Sequence, residues 1–285
     1  QNGAKKIIAI FEKGVFQKLE GAWLADGTPA DPNYLALYNK GLAHYDEGQF
    51  AEARPLFERT LEHMDVLKGK KNKDFTTVAR LLVEVLMLLE DYNQALARSE
   101  ELVGLDLRLL PPGDTTTLYD ISTWSAMATL SKSDDAVLER ISQIGLQEAR
   151  HSDDVSWRVP YLVDLGIVSK RREEYASAQS YLVQAIQLLR SGSAGSQPSQ
   201  FLLAVATLMD CYNATGNESA ERELILQHLP RLEERAKEEP ADLWIVTAMA
   251  KRLHHLGQWK ESIAAYTFYT TLVGPSGLQQ GEEFA

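Results

Sequence analysis

The sequence predicts an all-α protein, a solenoid of helical hairpins, on three observations. First, "GQFAEARPLF" sets a glycine, an aromatic two residues on, a small residue three further and a large apolar residue four further: Gly48, Phe50, Ala53 and Phe57. Second, that pattern returns along the chain at a near-constant period. Third, almost no stretch alternates apolar and polar residues in the manner of a half-buried strand.

Taken in order, residues 1–31 carry "AKKIIAIFEKGVFQKLEGAWLADG". Here Ile7, Ile8, Ile10, Phe11, Val15, Phe16 and Leu19 form one apolar stripe. The expectation is an N-terminal capping helix and linker, because the ends of a stacked array need covering. The same stripe docking on another protein or domain is the rival reading.

The repeat region is read as 32–275. "EDYNQALARS" places Tyr92 and Ala95 at the spacing of Phe50 and Ala53, with Glu90 in place of the glycine. "EEYASAQSYL" gives Tyr175, Ala178, Leu182 and then Ala185, and "GQWKESIAAY" gives Gly257, Trp259, Ser262 and Tyr266. The aromatics fall at 50, 92, 175 and 259, so two gaps are about double the first. Weaker copies are therefore expected near 133 and 217. "TLSKSDDAVLERI" offers Ala136 after a polar break, and "ATGNESAERELIL" offers Gly216 and Ala220 with the register slipped by about one residue.

An apolar segment of helical period precedes each break: Tyr34–Tyr45, Thr77–Leu89, Tyr119–Leu130, Pro160–Val168, Phe201–Tyr212 and Leu243–Leu256. Each break then starts a second helix. A small residue such as Ala53 or Ala178 lets the paired helices approach, and the next large residue packs one turn on. No single pair buries both faces, so about six copies must stack. Residues 276–285, "SGLQQGEEFA", lack periodicity and are read as a flexible C-terminal tail.

This text resembles the tetratricopeptide repeat family. The resemblance is carried by Gly48, Phe50, Ala53 and Phe57; Tyr92 and Ala95; Leu165, Gly166, Tyr175, Ala178, Leu182 and Ala185; and Gly257, Trp259 and Tyr266. It implies a right-handed superhelical solenoid whose first helices line a concave, partner-binding face. The period exceeds the family's 34 residues. It looks like the long-helix variant of kinesin light chains, bacterial regulators with helical sensor domains, and caspase-like protease regulators. Connections such as "KGKKNKD", "LPPGDTT" and the Gly/Ser-rich "SGSAGSQPSQ" take up the extra length, the last of them expected to be mobile.

Composition narrows the function. Of 285 residues, 45% are hydrophobic and 24% charged, a soluble balance, and the net charge is −11. That charge argues against nucleic acid or an anionic membrane as the main ligand. The basic run "GKKNK", Gly69–Lys73, reads as a solvated loop. Cys211 is the one cysteine, which precludes an intrachain disulfide, and no apolar run is long enough for a membrane span. The start at Gln1 rather than Met fits either a cut chain or a removed leader; the compartment is read as cytoplasmic, with export as the alternative.

No catalytic or metal-ligating constellation emerges, and no cofactor is expected. The chain lacks a phosphate-cradling loop, HExxH and paired cysteines. His254 and His255 are adjacent on a helix and point about 100° apart, so they do not jointly grip a metal. Asn213-Ala-Thr and Asn217-Glu-Ser match the glycosylation pattern, a motif with many false positives.

What remains is the groove. Counting turns back from each break gives a partner-binding lining of Tyr38, Tyr45, Asp46, Arg80, Glu84, Ser125, Asp164, Lys170, Arg171, Asp210, Asn213, Lys251, His254 and His255. Lys170, Arg171, Lys251, His254 and His255 are expected to form a locally positive strip. Aromatics with mixed charge suit a peptide or helix of another protein. The Lys/Asn/Lys/Arg series by which the family grips a terminal carboxylate is missing.

The functional reading is a protein-interaction module, neither an enzyme nor a small-molecule binder. The alternative is the regulatory or sensor portion of a larger enzyme or signalling protein, clamping an effector domain. A hydrolase on a helical scaffold would need a buried acidic pocket.

Overall fold

A computed structural model of the chain describes residues 6–12, 15–24, 28–31, 33–191 and 197–277. The Gly/Ser-rich residues 192–196 and the tail from 278 onward, both expected to be mobile, lie outside the described residues. The chain divides into two compact units, Gln1–Trp157 and Arg158–Ala285.

The first unit opens with a correction. The expected capping helix is instead an antiparallel strand pair, β1 (Lys6–Glu12) and β2 (Val15–Trp23), with Glu12 paired to Val15 and Lys6 to Trp23. So dense an apolar run satisfies a helical stripe and a strand alike. Composition decides: isoleucine, valine and phenylalanine favour strands.

Three helical hairpins follow: α1 (Leu35–Asp46) with α2 (Phe50–Lys68), α3 (Lys73–Leu88) with α4 (Tyr92–Leu109), and α5 (Thr115–Leu130) with α6 (Asp135–Ala149). A short 3-10 turn, Val155–Trp157, ends the unit. β2 lies beside α2, and the link into α1 is tied to α2 by Asp31 N–H donating to His63 Nδ1 at 2.8 Å.

The second unit repeats the plan with α7 (Arg158–Arg171) and α8 (Tyr175–Arg190), α9 (Pro198–Ala214) and α10 (Glu218–Glu238), and α11 (Leu243–His255) and α12 (Trp259–Gly277). Within each unit, consecutive helices pack on one another.

One backbone device makes all six hairpins. Gly48, Glu90, Lys132, Glu173, Gly216 and Gly257 have φ between 54° and 73°, so left-handed turns recur every 41–43 residues. At each, the turn residue's N–H reaches back three residues and the next N–H reaches back five, as in Gly48 N→Tyr45 O (2.9 Å) and Gln49 N→His44 O (2.8 Å). This Schellman arrangement satisfies carbonyls that the helix end leaves free. Glycine holds three of these positions without a Cβ penalty; Glu90, Lys132 and Glu173 hold the others at a cost of roughly 1 kcal/mol each.

Five residues after the turn sits the corner residue: Ala53, Ala95 and Ala178, each fully buried, and Ser262. The two irregular copies depart in specific ways. In the third, one extra residue lengthens the turn, so Leu138 is the buried residue and Ala136 is exposed. In the fifth there is no register slip. The corner residue is Glu221, fully buried, and Arg252 pairs with it at 2.5 and 2.8 Å.

Inside two hairpins a helical glycine faces a large residue of the second helix. A Cβ on Gly41 would sit 2.8 Å from Phe57 Cε1, and one on Gly166 would sit 2.6 Å from Leu182 Cγ. These close approaches set the interaxial spacing that places the first helices.

Candidate partner-binding surface

In each first helix the positions 13, 9, 6 and 2 residues before the left-handed turn residue share one face, a stripe that is largely exposed, though Thr207 on it is buried and Leu42 packs against the core. Those steps are near-multiples of the 3.6-residue turn, so they lie on one face. Seven predicted residues fall on it: Asp46, Glu84, Asp164, Arg171, Asp210, Lys251 and His255. Tyr45, Lys170, Asn213 and His254 stand three residues before their turns, at the stripe's edge.

These edge residues join neighbouring first helices. Tyr45 Oη donates to Glu84 Oε1 at 2.6 Å, and this bond, with some burial, pushes the phenol up to about 12. Lys170 is ion-paired with Asp210, and Arg252 Nη2 donates to Asn213 Oδ1 at 2.5 Å. The expected positive strip is therefore revised: Lys170 spends its charge on Asp210. His254 packs its ring edge-on to Trp259, with centroids 4.4 Å apart, and lies 6.0 Å from His255. Among the described residues no group of three or more His, Cys, Asp or Glu side chains is placed to hold a metal ion.

Three predicted residues face inward. Tyr38 packs against Phe57 and Ser125 is buried. Arg80 anchors a buried cluster: its guanidinium donates to both oxygens of Asp120 (2.7–3.0 Å) and to Asp106 Oδ2 (3.1 Å). Both carboxylates are buried, and among the described residues Arg80 is the one cation paired with them. Burial, and then the hydrogen bond and repulsion from Asp120, push Asp106 up to about 7 despite Arg80.

The stripe's apolar members escaped prediction. Thirteen residues before the turn stand Leu35 and Tyr119 in the first unit, and Leu203 and Trp244 in the second, each 41–58% exposed. Leu88 and Leu130 are likewise exposed two residues before their turns. Singly exposed apolar residues mean little, but recurrence at one register position is not scatter. Aligning the sequence on the turn residues would have revealed it; reading each helix separately assigns such residues to the core.

The clefts elsewhere are shallow. Two flank the α2–α3 connection, of about 290 and 540 Å3, the latter lined by Lys68, Lys70, Lys71, Glu100, Glu101 and Arg108. Lys70 of the basic run is ion-paired with Glu101. No helix among the described residues is long and apolar enough to cross a membrane.

No protein-family model and no curated protein sequence matches the chain. Solved structures do. The apo form of RapI aligns over 87% of this chain and 100% of its own, with TM-score 0.52 and 11% identity. BtubC (BKLC) from P. vanneervenii aligns over 67% and 76%, with TM-score 0.51 and 15% identity. A Podosopora anserina putative kinesin light chain of nearly identical TPR-like repeats aligns over 73% and 97%, with TM-score 0.50 and 15% identity. Six hairpins at a 41–43-residue period, joined by one turn device and aligned with these structures, give the chain the tetratricopeptide-type repeat fold in its long-helix form.

Proposed function

We propose that the chain is a protein-interaction module that seats a segment or helix of another protein on the outward stripes of its first helices. One observation carries the reading: the position thirteen residues before the turn bears an exposed Leu, Tyr or Trp in four of the six hairpins. Large apolar and aromatic anchors set among charged neighbours are the composition of binding hot spots. The edge bonds Tyr45–Glu84 and Lys170–Asp210 hold adjacent first helices in register, so the anchors are pre-positioned and little ordering is lost on binding. The ligand is a polypeptide because an open stripe offers length and repeated apolar contacts rather than an enclosing pocket. The reading involves no catalysis and no cofactor.

The test is capture of partners with the purified chain, followed by titration of the captured protein against three variants. Tyr119→Ser and Leu130→Ser, made singly, probe the first unit, and Trp244→Ser the second. These side chains are exposed, so helicity and melting should be unchanged while affinity falls at least tenfold for the unit that is used. Undiminished affinity in all three, with loss on Lys70→Glu/Lys71→Glu, would move the interface to the α2–α3 connection.

A further inference from the structure

The connections that join one hairpin to the next within a unit differ in charge. Residues 110–114 and 239–242 include no lysine or arginine, whereas residues 68–73 include four lysines. The repeat plan does not call for them. In the structure Lys68, Lys70 and Lys71 line a cleft of about 540 Å3 between this connection and α4, where Arg108 joins them. A cation in the last turn of a helix suits the helix dipole, which accounts for Lys68 and Arg108 taken singly. It does not account for Lys70 and Lys71 beside them.

Two carboxylates share the cleft, and both are already engaged. Glu101 is held by Lys70 and by Arg98 at 3.1 Å, and Glu100 by Arg140 at 2.7 Å. Lys71 and Arg108 hold no ion pair among the described residues, and Lys68 has a 3.9 Å approach to the exposed Asp74. Lys70, Glu101 and Leu105 also line the smaller cleft, which holds Glu58, Glu62 and Asp65. The carboxylates are thus gathered on one side of this wall, and the unanswered cations on the other. On a chain of net charge −11 that positive spot runs against the overall field and draws an anion to one place.

The cleft lining supplies a second observation. Gly104 stands inside α4, where glycine is the least favourable residue after proline. Gly41 and Gly166 are dictated by packing, since a Cβ on either would collide with Phe57 or Leu182. Gly104 is not: a Cβ there would have only Arg108 Nη2 within 4 Å, at an ordinary 3.6 Å. Its missing side chain serves the cleft, leaving the backbone of α4 open beside Leu105 and beneath the guanidinium.

We infer that this cleft is a binding site for a phosphate monoester. A phosphate dianion brings three acceptor oxygens and close to two charges, which answer Lys68, Lys71 and the planar donor fork of Arg108 together; a lone carboxylate would leave cations unpaired. Duplex nucleic acid and anionic membranes need an extended positive surface, which the net charge opposes. Leu105 and the open backbone at Gly104 meet the stem that carries the phosphate.

None of these residues belongs to a first helix, so the site stands apart from the surface proposed above and its test is separate. The probes are phosphoserine capped at both ends, capped serine and inorganic phosphate, each titrated calorimetrically into the full chain at constant ionic strength. Capped phosphoserine should bind saturably and capped serine should not. Lys71→Ala with Arg108→Ala should weaken binding roughly tenfold or more, with helicity unchanged because both side chains are exposed. Gly104→Glu, which sets a carboxylate into the cleft, should do the same, while Tyr119→Ser should leave binding as it is. Inorganic phosphate binding as tightly as phosphoserine would identify the source as a free phosphate; weaker binding would identify a phosphorylated side chain. Absence of saturable phosphoserine binding, or equal binding by wild type and the Lys71→Ala/Arg108→Ala variant, would overturn the inference.

Discussion

Replacing Asp106 by asparagine should make the chain more stable relative to wild type as pH rises, against the usual expectation for removing half of an ion pair. Asp106 and Asp120 are buried beside one guanidinium, that of Arg80. With both carboxylates ionised the cluster holds an uncompensated negative charge; with one proton retained it is neutral, and Asp106 can donate to Asp120. Burial first, and then Asp120, therefore raise Asp106 from 3.8 to about 7.

A raised folded-state pKa means that the native chain holds this proton more tightly than the unfolded chain. Its stabilisation is fully present below about pH 4 and is lost as pH rises to 7. Each pH unit in that window is worth about 1.4 kcal/mol. Between pH 5 and pH 8 the wild type should therefore lose about 2.5 kcal/mol relative to Asp106→Asn, whose amide mimics the protonated acid at every pH.

The measurement is urea unfolding by circular dichroism for both chains at pH 5 and pH 8. The difference between them is needed because His228 acts in the opposite sense. Burial, with Arg190 and Arg231 nearby, lowers it to about 4, so its contribution rises with pH up to its ordinary value. That term is common to both proteins and cancels. A variant-minus-wild-type difference that is flat or falls from pH 5 to pH 8 would refute the shared proton.

Three further outcomes test the packing. Glu221→Ala should cost about 1–3 kcal/mol, because Arg252 loses its carboxylate but keeps Asn213 and some access to water, whereas Glu221→Ala with Arg252→Leu restores the small-residue corner of the other hairpins and should recover most of that in a denaturant titration. Gly166→Ala should destabilise by about 1–3 kcal/mol because its Cβ meets Leu182; in a Leu182→Ala background the same change should be neutral or stabilising, as double-mutant thermal melts would read out. Glu173→Gly should stabilise by about 0.5–1 kcal/mol by relieving a left-handed glutamate, and an unchanged melting midpoint would count against strain at that turn.

How far the sequence could be read follows from which constraints are local. The hairpin turns needed a left-handed residue, and glycine announces this at 48, 216 and 257. At 90 and 173 a glutamate does the same work, and only the flanking Tyr92–Ala95 and Tyr175–Ala178 spacings reveal it. The third copy hides its turn behind an extra residue, and the fifth puts Glu221 where a small residue belongs. That substitution is intelligible only once Arg252, 31 residues away, is seen to meet it. The same holds for Arg80: its partners lie 26 and 40 residues on, and no helical periodicity links them, so it reads as a groove residue. The strands at Lys6–Glu12 and Val15–Trp23 carry an apolar density that satisfies a helical period as well as a strand's, and β-branching is the signal that separates the two. On the proposed surface the charged members of the stripe were legible because charges on a helix point outward. Leu35, Tyr119, Leu203 and Trp244 were not, because an apolar residue on a helix is ordinarily a core residue. They become legible when the six copies are aligned on their turns, since only a repeated exception to burial distinguishes an anchor from an accident.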